Sequence, residues 1–410
     1  MISKLNLEEV KKFSSVIIDQ GLISITTFST TVIIARVLNA DNYADYVLLM
    51  SIVLFILGTQ RSLITQPFTI LQNDYGLKDR VFYFSTTLLF SLVYTTLILV
   101  LVPIFLYAFF DYSVLYENII YMLFITGYCF YFFARDLLLS KRNTRANLYL
   151  GLSYTLSTWI LLLIIYLFKI ADLFVFLLGI SFIFLTISSI FLFRNMRYLK
   201  SNLFKIKKHW KENLSVNKWL LGSNFFFNIS AQAYPWLLLY LTTKENVAVY
   251  GVLMSIASLI NPIMTAFSSY LLPVFVQENK NMDAIMSLVK KWIIVFCLGA
   301  LILVLIGLFA GQIIIDLFFG LNYTHIGFVV VLPFINQAIN VALLPIKIAL
   351  NAIKRTDVNF WLFGLRSIIA IPLGFIFIAR FGIQGLFFAM ILENIIYQIF
   401  QFYFFKRLIK

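Results

Sequence analysis

The sequence predicts an all-α polytopic membrane protein: twelve transmembrane helices in two six-helix parallel-repeat bundles around a central cavity. Three observations carry that expectation. Hydrophobic residues make up 61% of 410 positions while charged residues make up 12%, a balance that no water-soluble globule shows. Apolar runs recur about a dozen times, each near the ~20 residues that a bilayer-spanning helix needs and too continuous for the alternating pattern of a membrane barrel. Finally, the second half repeats features of the first in the same orientation.

In chain order the expected spans are 14–38, 44–71, 81–109, 117–140, 147–168, 173–193, 219–242, 247–276, 291–310, 326–351, 358–379 and 385–405. The polar start "NLEEVKKFSS" has a capping-box spacing from Asn6 to Glu9 and runs directly into the first span, which is expected to direct insertion itself. Basic residues in short loops are retained on the cytoplasmic side. The termini and even-numbered connections hold most of the 32 Lys and Arg, including Lys78, Arg80, Lys141, Arg142, Arg145, Lys290, Lys291 and a dense cluster from Arg194 to Lys218. Odd-numbered connections hold only Lys169, Lys244 and Arg380. Both termini are therefore expected in the cytoplasm. The net charge of +14 is then explained by cytoplasmic loops facing anionic membrane lipids, with no nucleic acid implied.

The stretch 194–218, "RNMRYLKSNLFKIKKHWKENLSVNK", divides the chain into an N-terminal bundle (1–193), a basic cytoplasmic linker and a C-terminal bundle (219–410). Within the linker Leu199, Leu203, Ile206 and Trp210 fall at helical spacing against a basic face, the pattern of a helix lying on the inner leaflet. The repeat is visible in residues. "DNYADYVLLMSI" (41–52) matches "ENVAVYGVLMSI" (245–256) at an offset of 204, and "KRNTRANLYL" (141–150) lies near "IKRTDVNFWL" (353–362) at an offset of 212. Spans one and seven run in the same direction, so the repeat axis lies along the membrane normal, as in transporters whose two halves rock about a midplane site.

"IARVLNADNYADY", "VYGVLMSIASLINPIMTAFSSYLLPVF" and "FGIQGLFFAMILENII" resemble the polysaccharide-transporter branch of the multidrug, oligosaccharidyl-lipid and polysaccharide exporter superfamily, the bacterial O-antigen and capsule flippases. The glycine often found beside the tyrosine after the first outer turn is absent here, where the sequence reads "YADY". The resemblance implies a non-enzymatic flippase of the bacterial inner membrane. It would move a polyprenyl-pyrophosphate-linked oligosaccharide to the outer leaflet through a cavity that is often basic. Partner polymerases or glycosyltransferases would act on the same lipid-linked sugar.

Four intramembrane cations are the candidate substrate-binding residues. Arg61 shares a polar stripe with Gly58, Ser62, Thr65 and Thr69 at spacings of three and four; Arg135, Lys347 and Arg366 lie in spans four, ten and eleven. Facing lipid, each would cost roughly 2.5 to 3.5 kcal/mol, so all four are expected to face protein or water. Arginine suits phosphate because its planar fork donates two parallel hydrogen bonds. The alternative is that they pair with Asp19, Asp136 or Glu393, or that Arg135 and Lys347 snorkel to the inner surface. Asp19 and Glu393 are expected either to couple transport to protons or to neutralise an arginine; Glu393 begins a stripe with Tyr397 and Gln401. Arg36 is expected to anchor at the outer surface. Cys129 and Cys297 read as small apolar residues in different spans, and nothing in the sequence asks for a metal or cofactor.

Two other classes remain. Asp41 and Asp45 in the first outer turn would be the carboxylates of a membrane glycosyltransferase or polymerase, but the turn is short and capping is their expected job. A multidrug cation antiporter of the same superfamily would need an acidic cavity, against which the excess of intramembrane cations argues.

Overall fold

The computed structural model describes residues 7–110, 115–196, 203–278, 281–353 and 355–409, and among these all regular structure is helical. The elements are α1 (Leu7–Val37), α2 (Ala40–Gln60), a π-helical turn (Arg61–Thr65), α3 (Gln66–Leu71), α4 (Leu77–Phe110), α5 (Leu115–Ser140), α6 (Thr144–Phe168) and α7 (Leu173–Met196). There follow α8 (Leu203–Leu241), α9 (Lys244–Ala257), a 3-10 turn (Ser258–Ile260), α10 (Asn261–Gln277), α11 (Met282–Phe319), a 3-10 stretch (Leu321–Val330), α12 (Val331–Ala342), α13 (Leu344–Ala352) and α14 (Thr356–Ile409).

Ten described stretches are long and apolar enough to cross a membrane. One of them, Asp357–Leu408, is two helices joined at Gly382, whose φ of 57° breaks the helical path. Spans eleven and twelve meet there. The residues of the seventh expected span fall in the C-terminal part of α8, a continuous helix that begins well inside the linker, at Leu203, and is not one of those ten stretches. Large apolar side chains cover the outer faces; Phe309, 79% exposed on α11, is tolerable only against lipid.

Local chemistry sets the helix starts, and the repeat reappears in them. An offset of 204 carries the start of α2 at Ala40 onto the start of α9 at Lys244. Asn39 Oδ1 accepts from Asn42 N–H at the first, and Thr243 Oγ1 accepts from Asn246 N–H at the second. The offset of 212 carries Thr144, which opens α6, onto Thr356, which opens α14. Helix α5 ends in a Schellman motif: Asn143 N–H donates to Leu138 O, Arg142 N–H donates to Leu139 O, and Arg142 takes φ 53°. Glycine usually fills that left-handed position, which costs another residue about 1–2 kcal/mol.

The chain forms two compact units, Met1–Thr30 with Ile52–Leu221, and Thr31–Ser51 with Gly222–Lys410. The first has a core of Ile64, Phe68, Tyr83, Phe84, Leu88, Phe133 and Leu137. Beside it, Tyr154 stacks on Phe184 at 5.0 Å, with Tyr131 packed on both rings. The second unit is built on α11 against α12. Gly307 and Gly311 form a GxxxG face on which Phe334 and Val330 sit so closely that an added Cβ would lie 2.8 and 2.5 Å from them. This is close packing by small residues, the usual cohesion of helices in lipid.

Candidate functional site

Helix α5 carries Arg135 and Asp136 in succession, and a helix turns about 100° per residue, so the two side chains leave in different directions. Arg135 pairs with Asp19 of α1. The Asp19 carboxylate also accepts from Asn147 Nδ2 at 2.6 Å, and its other oxygen, Oδ1, rests over Gly151, where an added Cβ would collide with it. Arg135 and Asp19 are 4% and 0% exposed. The pair is sealed in protein, where removing either partner strands a charge.

Asp136 instead meets Arg61. Arg61 Nε and Nη2 donate to the two carboxylate oxygens at 2.8 and 3.3 Å, Thr65 Oγ1 approaches at 3.4 Å, and the guanidinium lies 5.6 Å from the Phe132 ring. This pair is open, with Arg61 38% and Asp136 20% exposed. Only the Nε and Nη2 edge faces the carboxylate, and a guanidinium offers five donors.

The turn carrying Arg61 is irregular. Residues 61–65 are π-helical, and the Gln66 N–H reaches back to Arg61 O. In that register Ser62 O would look for a donor at residue 67, which is Pro67 and has none. Asn217 Nδ2 of α8 supplies it at 2.7 Å. Asn217 ends a buried polar stripe with His209 and Asn213. His209 Nδ1 lies 3.0 Å from Thr86 Oγ1, and Asn213 Oδ1 accepts from Tyr83 Oη at 2.7 Å. The linker helix therefore buries a polar face on the first unit, while Trp210, expected on its apolar face, is exposed and edges onto Phe90.

In the second unit Arg366 Nη2 and Nε donate to Glu393 Oε1 at 2.7 and 3.1 Å, and Tyr234 Oη donates to Glu393 Oε2 at 2.7 Å. Arg366 is 12% and Glu393 0% exposed. The stripe Glu393, Tyr397, Gln401 is buried, and Gln401 Nε2 donates to Tyr397 Oη. Lys347 sits on α13, just past a break at Leu343 and Pro345; it is exposed and no carboxylate pairs with it among the described residues. Arg36 reaches the carboxyl end of α11, donating to Phe318 O at 2.5 Å and to Leu317 O, as a cation at a helix C-terminus should. Asp45 pairs with Lys244 at 2.8 Å.

No protein-family profile and no curated protein matches the sequence. Solved structures do match. An inward-facing multidrug-resistance MATE family transporter of the MOP superfamily is similar at TM-score 0.74 with 12% identity over 94% of each chain. The lipid II flippase MurJ in an inward closed conformation is similar at TM-score 0.70 with 16% identity, over 95% of this chain and 87% of that one. The Vibrio cholerae MATE transporter VcmN in its bent form gives 0.59 and 15%, over 97% of this chain and 96% of that one. The fold is one that MATE transporters and MurJ share. At these identities the likeness is one of fold.

Sequence reasoning named Arg61, Arg135, Arg366, Asp19 and Glu393 and gave Asp136 as a pairing partner. It missed Asn147, Tyr234 and the His209–Asn213–Asn217 stripe. For Asn147 a signal was available: Asn147, Gly151 and Tyr154 share one helical face, polar and small where lipid would ask for bulk.

Proposed function

We propose that the protein is an inner-membrane flippase that carries a polyprenyl-pyrophosphate-linked oligosaccharide from the inner to the outer leaflet by alternating access, for O-antigen or capsule assembly. The observation that carries this reading is Arg61. It lies at membrane depth on a π-helical turn, partly exposed, and holds Asp136 by one edge only. A pyrophosphate can take the remaining donors without leaving Asp136 unpaired, since a guanidinium binds oxyanions in parallel pairs. Lys347 is the exposed cation of the second unit's α13. Arg135 and Arg366, held by Asp19 and Glu393, position the helices around them. Likeness in fold to MurJ supports the class. A polymerase or glycosyltransferases are the expected partners, and both termini are assigned to the cytoplasm by the loop charges.

A second reading, a multidrug cation antiporter, rests on the buried carboxylates Asp19 and Glu393 and on the likeness to MATE transporters. Charge sign separates the two. With protein abundance scored alongside, Arg61→Lys should keep part of surface-polysaccharide export, while Arg61→Ala and Arg61→Glu should lose at least about tenfold. Normal export by an abundant Arg61→Ala protein would sink the phosphate role. Drug resistance lost in Asp19→Asn or Glu393→Gln with no polysaccharide defect would favour the antiporter.

A further inference from the structure

The first unit holds a second basic site, whose lining does not include Arg61, in a cavity of about 860 Å³. Its floor is apolar, with Phe68, Phe84, Leu137 and Phe191, and four basic side chains line it: Arg80 on the first turn of α4, Lys141 and Arg142 after α5, and Arg194 near the end of α7. Among the described residues no acidic side chain lines it. All four cations come from the connections that the charge distribution places in the cytoplasm, so the cavity sits at the level of the inner leaflet's headgroups.

Three further facts point to an anionic ligand. Among the described residues, none of the four cations pairs with a carboxylate. Arg80 Nε is buried with no hydrogen-bond acceptor, a state that ordinarily costs as much as a lost hydrogen bond. Arg142 occupies the left-handed position that glycine would fill without strain. The Lys141 ammonium lies 3.2 Å from the centroid of the Phe84 ring, and burial lowers its pKa to about 8. Helix α6 adds its amino end: Asn143 and Ala146 line the same wall. The rim carries exposed Tyr149 and Ile190, which open it towards acyl chains.

We propose that this cavity binds an anionic phospholipid of the inner leaflet, the phosphate held by Arg80, Lys141, Arg142 and Arg194 and an acyl chain leaving past Ile190. The assignment is independent of the transported substrate. A lipid is favoured over free phosphate because the floor is aromatic and aliphatic and the rim is apolar. The bound lipid would brace α4, α5, α6 and α7 at their cytoplasmic ends.

The test uses full-length protein purified in detergent and followed by native mass spectrometry and by thermal unfolding. Added phosphatidylglycerol should give a retained lipid adduct and a higher Tm, and phosphatidylcholine should give neither. Arg142→Gly keeps the fold because it relieves the left-handed strain; it should raise the Tm of lipid-free protein while weakening phosphatidylglycerol binding at least about fivefold, and Arg80→Gln should weaken it similarly. Equal retention of phosphatidylcholine would overturn the proposal, as would unchanged phosphatidylglycerol binding in both variants. Full displacement of the lipid by millimolar inorganic phosphate would assign the site to a free anion and overturn the lipid assignment.

Discussion

Two neighbouring arginine–aspartate pairs on α5 differ in almost everything but their chemistry. Arg135 with Asp19 is sealed, shares its carboxylate with Asn147 and lies over a glycine that leaves no spare volume. Arg61 with Asp136 is open, rests on an irregular turn and leaves one edge of the guanidinium uncovered by protein. A buried pair gains little over a well-packed apolar substitute, but its loss leaves a stranded charge, which makes it a lock. An exposed pair is screened and weak, so its geometry can be remade around a ligand. The same residue types one position apart are therefore closed in by protein in one case and left partly uncovered in the other.

Breaking the sealed pair should have the largest effect. Asp19→Asn or Arg135→Ala should destabilise the protein by about 3–5 kcal/mol, read as a large fall in thermal unfolding temperature and in membrane abundance. If either variant unfolds like the wild type, the pair is not a lock. Breaking the open pair should change stability far less, by about 0–1 kcal/mol for Arg61→Ala in the same unfolding assay. A loss as large as that of Arg135→Ala would erase the distinction and make Arg61 a structural residue.

The smallest effect should come from the helix that fastens the open pair's turn. Burial of His209 lowers its pKa; Lys208 and Lys205 push the same way, while Glu212 and Asp79 oppose. The folded protein therefore keeps His209 neutral at pH values where the unfolded chain, with an ordinary pKa near ~6.5, is already protonated. Stability from this contact should be complete above that pH and fall as pH drops below it. Protection factors for amide hydrogen exchange along residues 205–217, corrected for the intrinsic pH dependence of exchange, should fall on acidification, and His209→Gln should flatten that response. A pH-independent wild type would show that His209 does not hold the helix down.

How much of this was legible in the sequence depends on distance along the chain. Span positions follow from apolar length; the starts at Ala40, Lys244 and Thr144 follow from local caps, and that at Thr356 matches Thr144 by the repeat spacing. The ion pairs were harder to read. Arg61 and Asp136 are 75 residues apart, and only packing decides whether Asp19 goes to Arg135 or elsewhere. Pro67 announces a missing donor but not that the irregularity appears as a π turn just before it, nor that Asn217 supplies Ser62 O from 155 residues beyond Ser62. In the linker an apolar stripe of Leu199, Leu203, Ile206 and Trp210 drew attention from the polar stripe that the fold buries; Leu199 itself lies outside the described residues. Polar residues can line a buried face when partners wait for them, and partners are invisible to periodicity.

The two compact units exchange chain at three points, between Thr30 and Thr31, between Ser51 and Ile52, and between Leu221 and Gly222, and each lies inside a helix: α1, α2 and α8. None is a slack tether. A helix of 39 residues such as α8 is a rod about 58 Å long, its hydrogen-bond ladder interrupted where Pro235 brings no donor. Gly222, so close to the Phe360 ring that an added Cβ would collide with it, lies at the point on α8 where the chain passes from the first unit to the second.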